Sequence, residues 1–288
     1  MSRRPPGTLT AIMPHTLPTV EELYRAMGRM VVRFYGRTPG SSCVLASHAI
    51  LGCSGLGSIY LNCGVVFGDG PAGEDPAEDR LREFVARIRE RGIGGYVCLS
   101  ETIQRRLGPL AHELGLEPLP PIPLMVYVPG RPGRDGKSPE APGAAGGPAV
   151  ERVAGAEGLA DFLALSEATF DLPADLYGRV VTTALLQDPS LTVYLSRLDR
   201  AAVAGVIVVD DEGLAGISGM ATLPGLQGRG IGGRLLDHIL SEHSQRTRAF
   251  YLTAGEAGQR LYRRHGFETV DAATAWVVPP PAAARPTG

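Results

Sequence analysis

The chain has 288 residues, of which 44% are hydrophobic and 20% charged, and its formal net charge is −2. This balance is typical of a globular protein with one large or two ordinary domains. The near-neutral charge, without a sustained Lys/Arg cluster, argues against a nucleic-acid partner. No apolar run approaches a membrane span and residues 1–14 lack a signal-peptide core, so we expect a cytoplasmic protein without membrane contact.

The four cysteines, Cys43, Cys53, Cys63 and Cys98, all lie in the first half of the chain. They lack paired C-x-x-C spacing, so no metal site is expected. In a cytoplasmic protein they should be reduced thiols that fill the core as small apolar residues.

Residues 15–128 are predicted to form a first domain in which helical and extended patterns alternate. We predict helices over 20–35, 78–91 and 103–114, and strands over 42–50, 58–67, 95–100 and 119–128. Residues 129–148 are dense in Gly and Pro without apolar periodicity, which predicts a mobile linker.

Residues 149–279 are predicted to form a second domain with a similar alternation. Strands are expected over 150–153, 191–198, 202–209, 214–222, 249–252, 267–270 and 273–278, and helices over 159–170, 177–186, 230–243 and 257–265. The segment Ala111–Glu117 resembles Tyr262–Glu268, which predicts a weak internal repeat.

The segment from Met220 to Gly233 carries the clearest chemical signal. It follows a predicted strand, contains a run of glycines and opens a predicted helix. Glycines admit backbone conformations closed to other residues and let the chain approach a ligand closely. Free N–H groups at a helix N-terminus bind phosphate groups, so this segment predicts a diphosphate site.

Two other interpretations of this segment fit the sequence less well. Gly228, Gly230 and Gly233 also satisfy G-x-G-x-x-G, and Glu256 lies at a tolerable distance for a ribose contact. Only about 55 residues follow, however, which is too short for the strand–helix units of a nicotinamide-binding fold. A purely structural turn is also disfavoured, since so many glycines destabilise a helix start.

Two motifs make the second half similar to the GNAT acyltransferases. Gln227–Gly232 matches the family's Q/R-x-x-G-x-G/A signature, with Pro224 three residues ahead, and Leu261–Phe267 matches its later L-Y-x-x-x-G-F ending. The resemblance implies an α/β (α+β) GNAT fold with a mixed, mostly antiparallel sheet flanked by helices. With the internal repeat, it implies two tandem GNAT-like domains.

The resemblance also implies how acetyl-CoA, or another acyl-CoA, is held. Met220, Ala221 and Thr222 would end a strand splayed from its neighbour, and their backbone groups would bind the pantetheine arm and polarise the thioester carbonyl. The residues expected to hold the pyrophosphate are Gln227, Gly228, Arg229, Gly230, Ile231, Gly232 and Gly233.

The proton donor is expected to be Tyr262, which would protonate the leaving thiolate. Glu256 is the candidate general base. Glu167, Asp171, Asp175 and a water chain remain alternatives. His238 and His243, on the long predicted helix, are expected to be surface residues or partners of the helix dipole.

The sequence departs from the family pattern at two places. Gly255 stands where the family often has an Asn that contacts the donor. In the first half, residues 68–75 contain three acidic residues and no Q-x-x-G-x-G, and Ala111 stands where the second half has Tyr262. We therefore expect the first half to lack a functional CoA loop and to help shape the acceptor groove.

The sequence predicts an N-acyltransferase that moves an acetyl or other acyl group from acyl-CoA to a small-molecule amine by direct attack in a ternary complex. The alternatives are an acyl carrier protein as donor and a non-catalytic CoA-binding sensor. A monomer or homodimer is expected.

Overall fold

The computed structural model describes residues 16–73, 75–131, 147–170 and 172–281. Most of the predicted linker, together with Glu74 and Asp171, lies outside the described residues. In the described part of the chain, twelve strands join in one mixed sheet with helices on both faces. The predicted α/β class is confirmed.

Nine helices and strands make up the first half. They are α1 (Val20–Tyr35), β1 (Ser42–Leu45), β2 (Ala49–Cys53), β3 (Asn62–Val66), α2 (Ala77–Glu90), β4 (Gly95–Leu99), α3 (Glu101–Glu113), β5 (Glu117–Pro118) and β6 (Ile122–Tyr127). The predicted strand over 42–50 is instead the hairpin β1–β2, and the strand predicted over 58–67 begins with a 3-10 turn at Ile59–Leu61. Helix α1 begins where predicted because Thr19 and Glu22 form a capping box.

Ten helices and strands make up the second half. They are β7 (Ala149–Arg152), α4 (Ala156–Phe170), α5 (Ala174–Tyr177), β8 (Leu191–Leu198), β9 (Ala201–Asp211), β10 (Leu214–Thr222), α6 (Ile231–His243), β11 (Ala249–Thr253), α7 (Glu256–Arg264) and β12 (Glu268–Val278). The helix predicted over 177–186 is wrong: α5 ends at Tyr177 and only a 3-10 turn, Leu185–Gln187, follows. Gly178 and the β-branched run 180–183 have weak helix propensity, which explains the error.

The two halves repeat one arrangement. In each, a single parallel pair is connected through a helix, β3–β4 through α2 and β10–β11 through α6, whereas the other pairs among the described strands are antiparallel. The two segments that look alike in sequence both end a helix at a glycine with positive φ, 71° at Gly115 and 83° at Gly266, and both lead into a strand. The mostly antiparallel sheet and the internal repeat are thus present in the fold.

The halves exchange strands at their junction. The strand order is β1-β2-β3-β4-β12-β6-β11-β10-β9-β8-β7, so β6 of the first half lies between β11 and β12 of the second. Strand β12 then continues past β6, and its Thr274–Val278 segment pairs with β4. The two strands predicted over 267–270 and 273–278 are therefore one strand, with an irregular register between Thr269 and Asp271.

Helix α1 lies between the halves. It packs on β1 and β2 and also contacts β10. Ion pairs tie it to the second half: Arg29 lies beside Asp211 and Glu212, and Arg33 lies beside Asp211 and Asp188. Glu22 of α1 also pairs with Arg248. The Tyr24 hydroxyl donates to Asp271 Oδ2 at 2.5 Å, which joins α1 to the shared strand β12. One apolar core lies under α1 and α4, and a second lies under α6 and α7 on the other face.

Of the two expectations for His243, the surface position is wrong, because its side chain is 0% exposed; it lies in the last turn of α6, as a partner of the helix dipole would. Its Nδ1 lies 3.0 Å from Asp210 Oδ1, and its Nε2 lies 2.8 Å from the Tyr194 hydroxyl. The four cysteines are free thiols; Cys53 and Cys63 are buried and the other two half-buried.

Candidate active site

The sheet of the second half opens between β10 and β11. The two strands pair only from Leu214–Ala249 to Gly216–Tyr251, although β10 continues to Thr222. The register of β10 against β9 shifts between Ser218 and Ala221, and Gly219 inside this bulge has a φ of 60°. A bulge bends its strand and re-aims it. The end of β10 is thus turned away from β11, and its backbone groups on that edge are free of β11.

The glycine-rich loop stands at the end of β10. Gln227 Nε2 donates to the Thr222 carbonyl at 3.1 Å and fixes the loop to the strand. Gly228 and Gly230 have φ values of 75° and 76°, and a Cβ at either position would meet nothing within 4 Å. Both glycines are therefore required by the backbone conformation, because L-residues with side chains rarely adopt it.

Helix α6 begins directly after this loop with its N–H groups available. Its N-cap, Gly230, offers no side-chain hydrogen bond, and no acidic residue stands in the first turn. The first N–H groups of a helix have no intrahelical partner and carry the positive end of the helix dipole. With the open space around Gly228 and Gly230, this arrangement suits an anionic ligand.

Tyr262 reaches the same opening from α7. Its side chain is 7% exposed, and its ring packs edge-on against Phe267 with centroids 5.6 Å apart. Its hydroxyl lies 3.5 Å from Met220 Sδ. Burial raises the pKa of Tyr262 to about 12, so the phenol is protonated at neutral pH. It can therefore donate a hydrogen bond or a proton at the end of β10.

Glu256 is the first residue of α7 and is exposed at the rim of the opening. Gly255, at the N-cap, provides no side-chain cap. Glu167 and Asp175 are exposed as well, and Asp171 lies outside the described residues.

One groove of about 1710 Å³ joins most of the predicted residues. Its lining includes Met220, Thr222, Gln227, Gly228, Gly230, Ile231, Gly232, Gly233, Glu256 and Tyr262. Ala221 and Arg229 are not part of it: the Ala221 side chain is buried in the core under α1 and α4, and Arg229 is exposed.

Sequence reasoning missed several residues of this groove. Met27 and Met30 reach it from α1, Phe170 from the end of α4, and Tyr251 from β11. Tyr251 lies across Gly216, where an added Cβ would stand 2.7 Å from its hydroxyl. These side chains belong to elements that are remote in sequence, so no local motif marks them. The Gly219 bulge also lacked a sequence signal beyond the glycine itself.

The corresponding region of the first half is closed. β3 and β4 pair from Cys63–Tyr96 to Val66–Leu99, so no opening forms between them. Helix α2, in the place of α6, carries Glu78 and Asp79 in its first turn, where negative charge opposes an anion.

The loop before α2 and the end of α3 also lack the features of the glycine loop and of Tyr262 in the second half. Asp69 pairs with Arg106, and the ring of His48 lies against Gly70. Ala111, at the place of Tyr262, is fully buried.

The described residues contain neither a metal-binding cluster nor a helix fit to cross a membrane. No cluster of three or more His, Cys, Asp or Glu in this part of the chain is arranged to hold a metal ion. In the same residues, no helix has both the length and the apolar character that crossing a membrane requires.

Comparison with known proteins gives a match that overlaps the site. Residues 189–269 match the family profile described as "Acetyltransferase (GNAT) domain". This segment contains β10, the glycine loop, α6, β11 and α7. No curated protein matches the sequence significantly.

Solved structures resemble the chain over most of its length. A GCN5-related N-acetyltransferase from Kribbella flavida superposes with a TM-score of 0.67 at 18% identity, over 93% of this chain and 98% of that one. A GCN5-related N-acetyltransferase from Sphaerobacter thermophilus gives 0.54 at 16%, over 92% and 98%. A tandem GNAT protein from the clavulanic acid biosynthesis pathway gives 0.53 at 14%, over 80% and 77%. At these identities the likeness shows a shared fold.

Proposed function

We propose that this chain, whose residues 189–269 match the GNAT acetyltransferase profile, transfers an acetyl group from acetyl-CoA to the amine of a small molecule. The observation that carries the proposal is the juxtaposition at the end of β10. An opening in the sheet, an uncapped helix start and a protonated phenol meet in one groove.

The donor is held by its pyrophosphate at the start of α6. The N–H groups of Ile231, Gly232 and Gly233 and the loop glycines form the cradle, and the helix dipole adds to the attraction. The pantetheine arm follows the free edge of β10 from Thr222 towards Ser218. There the thioester carbonyl meets backbone N–H groups released by the bulge, and donors aimed at a developing oxyanion supply about 3 kcal/mol.

Transfer then needs no covalent enzyme intermediate. The amine nitrogen attacks the thioester carbon, so a C–N bond forms and the C–S bond breaks. The ammonium first loses one proton to solvent through Glu256 or a water chain. The CoA thiolate leaves and takes a proton from Tyr262, and the second proton, which the nitrogen loses after attack, restores the Tyr262 phenol through water. Binding both reactants in one groove supplies the proximity contribution.

Under this proposal the first half does not bind an acyl-CoA donor. Its parallel strands stay closed, and acidic residues occupy the first turn of α2. Its contribution is structural: β6 completes the sheet of the second half, and α1 supplies part of the groove wall.

Thiol release from acetyl-CoA in the presence of a panel of amines tests the proposal, with acetyl-CoA binding measured separately by calorimetry. An N-acyltransferase releases CoA only when an amine is present. Binding without release for any amine would instead support a sensor. Failure to bind acetyl-CoA, together with acyl transfer from a loaded carrier protein, would reassign the donor.

A further inference from the structure

The groove passes through the sheet and has two arms. Leu261 and Tyr262 in its lining belong to the core under α6 and α7, whereas Met27, Met30 and Tyr251 belong to the core on the opposite face. The two faces communicate where β10 and β11 separate. The arm on the α6 side contains the glycine loop. We call the part lined by Met27, Met30, Phe170, Tyr251 and Val270 the acceptor arm.

The acceptor arm is apolar, and the first half of the chain builds one of its walls. Met27 and Met30 pack on the shared core from α1 and are half-buried, which leaves part of each side chain facing the groove. Leu17 and Phe170 also line the groove and are 41% and 42% exposed. Exposed apolar side chains gathered at the edge of a groove mark a binding surface, and methionines adapt their shape to an apolar ligand.

Among the described residues, two of the three carboxylates that line the groove lie on the α6 and α7 side of the sheet. Asp237 belongs to α6 and pairs with His265 at 3.2 Å, and Glu256 stands at the start of α7. Glu268 on β12 is in register with Val126 and, across β6, with Tyr251, about 10 Å away, so its side chain is directed to the face of the sheet that bears the acceptor arm. A primary ammonium group that enters the arm can therefore pair with Glu268 and lose its proton before the nitrogen attacks.

We propose that the acceptor is a primary amine carried on an apolar body, seated between α1 of the first half and the end of α4. This inference rests on the proposed acetyl transfer and adds the substrate class. The neutral nitrogen faces the thioester at the β10–β11 opening, and the apolar body contacts Met27, Met30 and Phe170. The products are the N-acetylated amine and the CoA thiol.

The test compares phenethylamine with spermidine and glucosamine, an apolar amine against a polycation and a hydroxylated amine. With acetyl-CoA as donor, kcat/KM for phenethylamine is expected to exceed that for either of the others by at least about tenfold. A preference for spermidine or glucosamine would overturn the inference while leaving acetyl transfer itself intact.

Matched variants locate the acceptor. Phe170→Glu should raise the KM for phenethylamine about tenfold or more, while the acetyl-CoA dissociation constant stays within about twofold. Leu198→Glu is the control, because Leu198 is also 42% exposed and lies outside the groove lining. Met30→Glu should act like Phe170→Glu, and Met30→Leu should retain most of the activity. Equal behaviour of Phe170→Glu and Leu198→Glu would contradict the placement.

Binding measurements distinguish failure of the acetyl-transfer proposal from failure of the acceptor-arm inference. If acetyl-CoA binds but no amine releases CoA, the transfer proposal fails. Phenethylamine titrated into the CoA-saturated protein then still tests the arm. Binding that is weakened by Phe170→Glu supports an apolar ligand site, and absence of binding overturns it.

Discussion

Removing the Tyr262 hydroxyl should slow acyl transfer and leave folding nearly unchanged. The hydroxyl makes one weak contact, 3.5 Å to Met220 Sδ, so Tyr262→Phe should alter the free energy of unfolding by less than about 0.5 kcal/mol. A hydrogen bond to a charged group contributes about 1.5–3 kcal/mol. If Tyr262 donates to the departing thiolate, kcat should fall roughly 10- to 150-fold. The assay is thiol release from acetyl-CoA with the amine that the wild type acetylates best.

Tyr127→Phe is the matched control for this change. Tyr127 also packs against Phe267, with centroids 5.5 Å apart, and does not line the groove. Its variant should keep the wild-type kcat. A Tyr262→Phe enzyme with wild-type kcat, or an equal loss in both variants, would refute the assignment of Tyr262 as proton donor.

The pH dependence of kcat/KM is a second test of Tyr262 as the proton donor. Burial raises the pKa of Tyr262 to about 12, above the ordinary tyrosine value of 10.0, so the donor stays protonated throughout the usual assay range. Wild-type kcat/KM should rise as the amine loses its proton and show no decline caused by Tyr262 up to about pH 10. The raised pKa stabilises the fold below about pH 10, and this contribution is lost as pH rises through about 12.

Three further variants test the geometry around the groove. Gly230→Ala should strain the left-handed N-cap by roughly 1–2 kcal/mol and weaken acetyl-CoA binding about tenfold by calorimetry, whereas Gly40→Ala, at a φ of 80° and with equal open space, should cost stability alone. Equal affinity loss in both would contradict a role for the loop. Gly216→Ala places a Cβ 2.7 Å from the Tyr251 hydroxyl and should cost roughly 1–3 kcal/mol in urea unfolding; an unchanged midpoint would show that the ring does not lie there. Asp211→Ala removes one of the two carboxylates beside each of Arg29 and Arg33, which keep Glu212 and Asp188, and should cost about 1 kcal/mol, less at high salt; a salt-independent loss would rule out ion pairing.

The local elements followed from the sequence where one physical signal dominated. The apolar run Leu214–Thr222 gave β10 with the bounds predicted, and the spacing of apolar residues gave α1 at Val20–Tyr35. The glycine loop was recognisable because its backbone conformations exclude most other residues. Prediction failed over 177–186, where apolar residues occur without helix-forming neighbours.

Sequence patterns could not predict the shared sheet or the acceptor arm. An apolar strand such as β6 pairs equally well with any strand of compatible register, so its pattern does not reveal that it lies between β11 and β12. The positions of Met27 and Met30 could not be predicted either, because the sequence pattern around them indicates only an amphipathic helix. Their place in the groove depends on how α1 docks against the second half.

The most direct test of the central claim is the stoichiometry of acetyl-CoA binding to the whole chain by titration calorimetry. The β10–β11 opening and the uncapped start of α6 predict one site per chain. Gly232→Asp, which adds a carboxylate at that helix start, should abolish binding, and Gly73→Asp in the first-half loop should leave it unchanged. Two sites per chain, or binding that survives Gly232→Asp, would contradict the account.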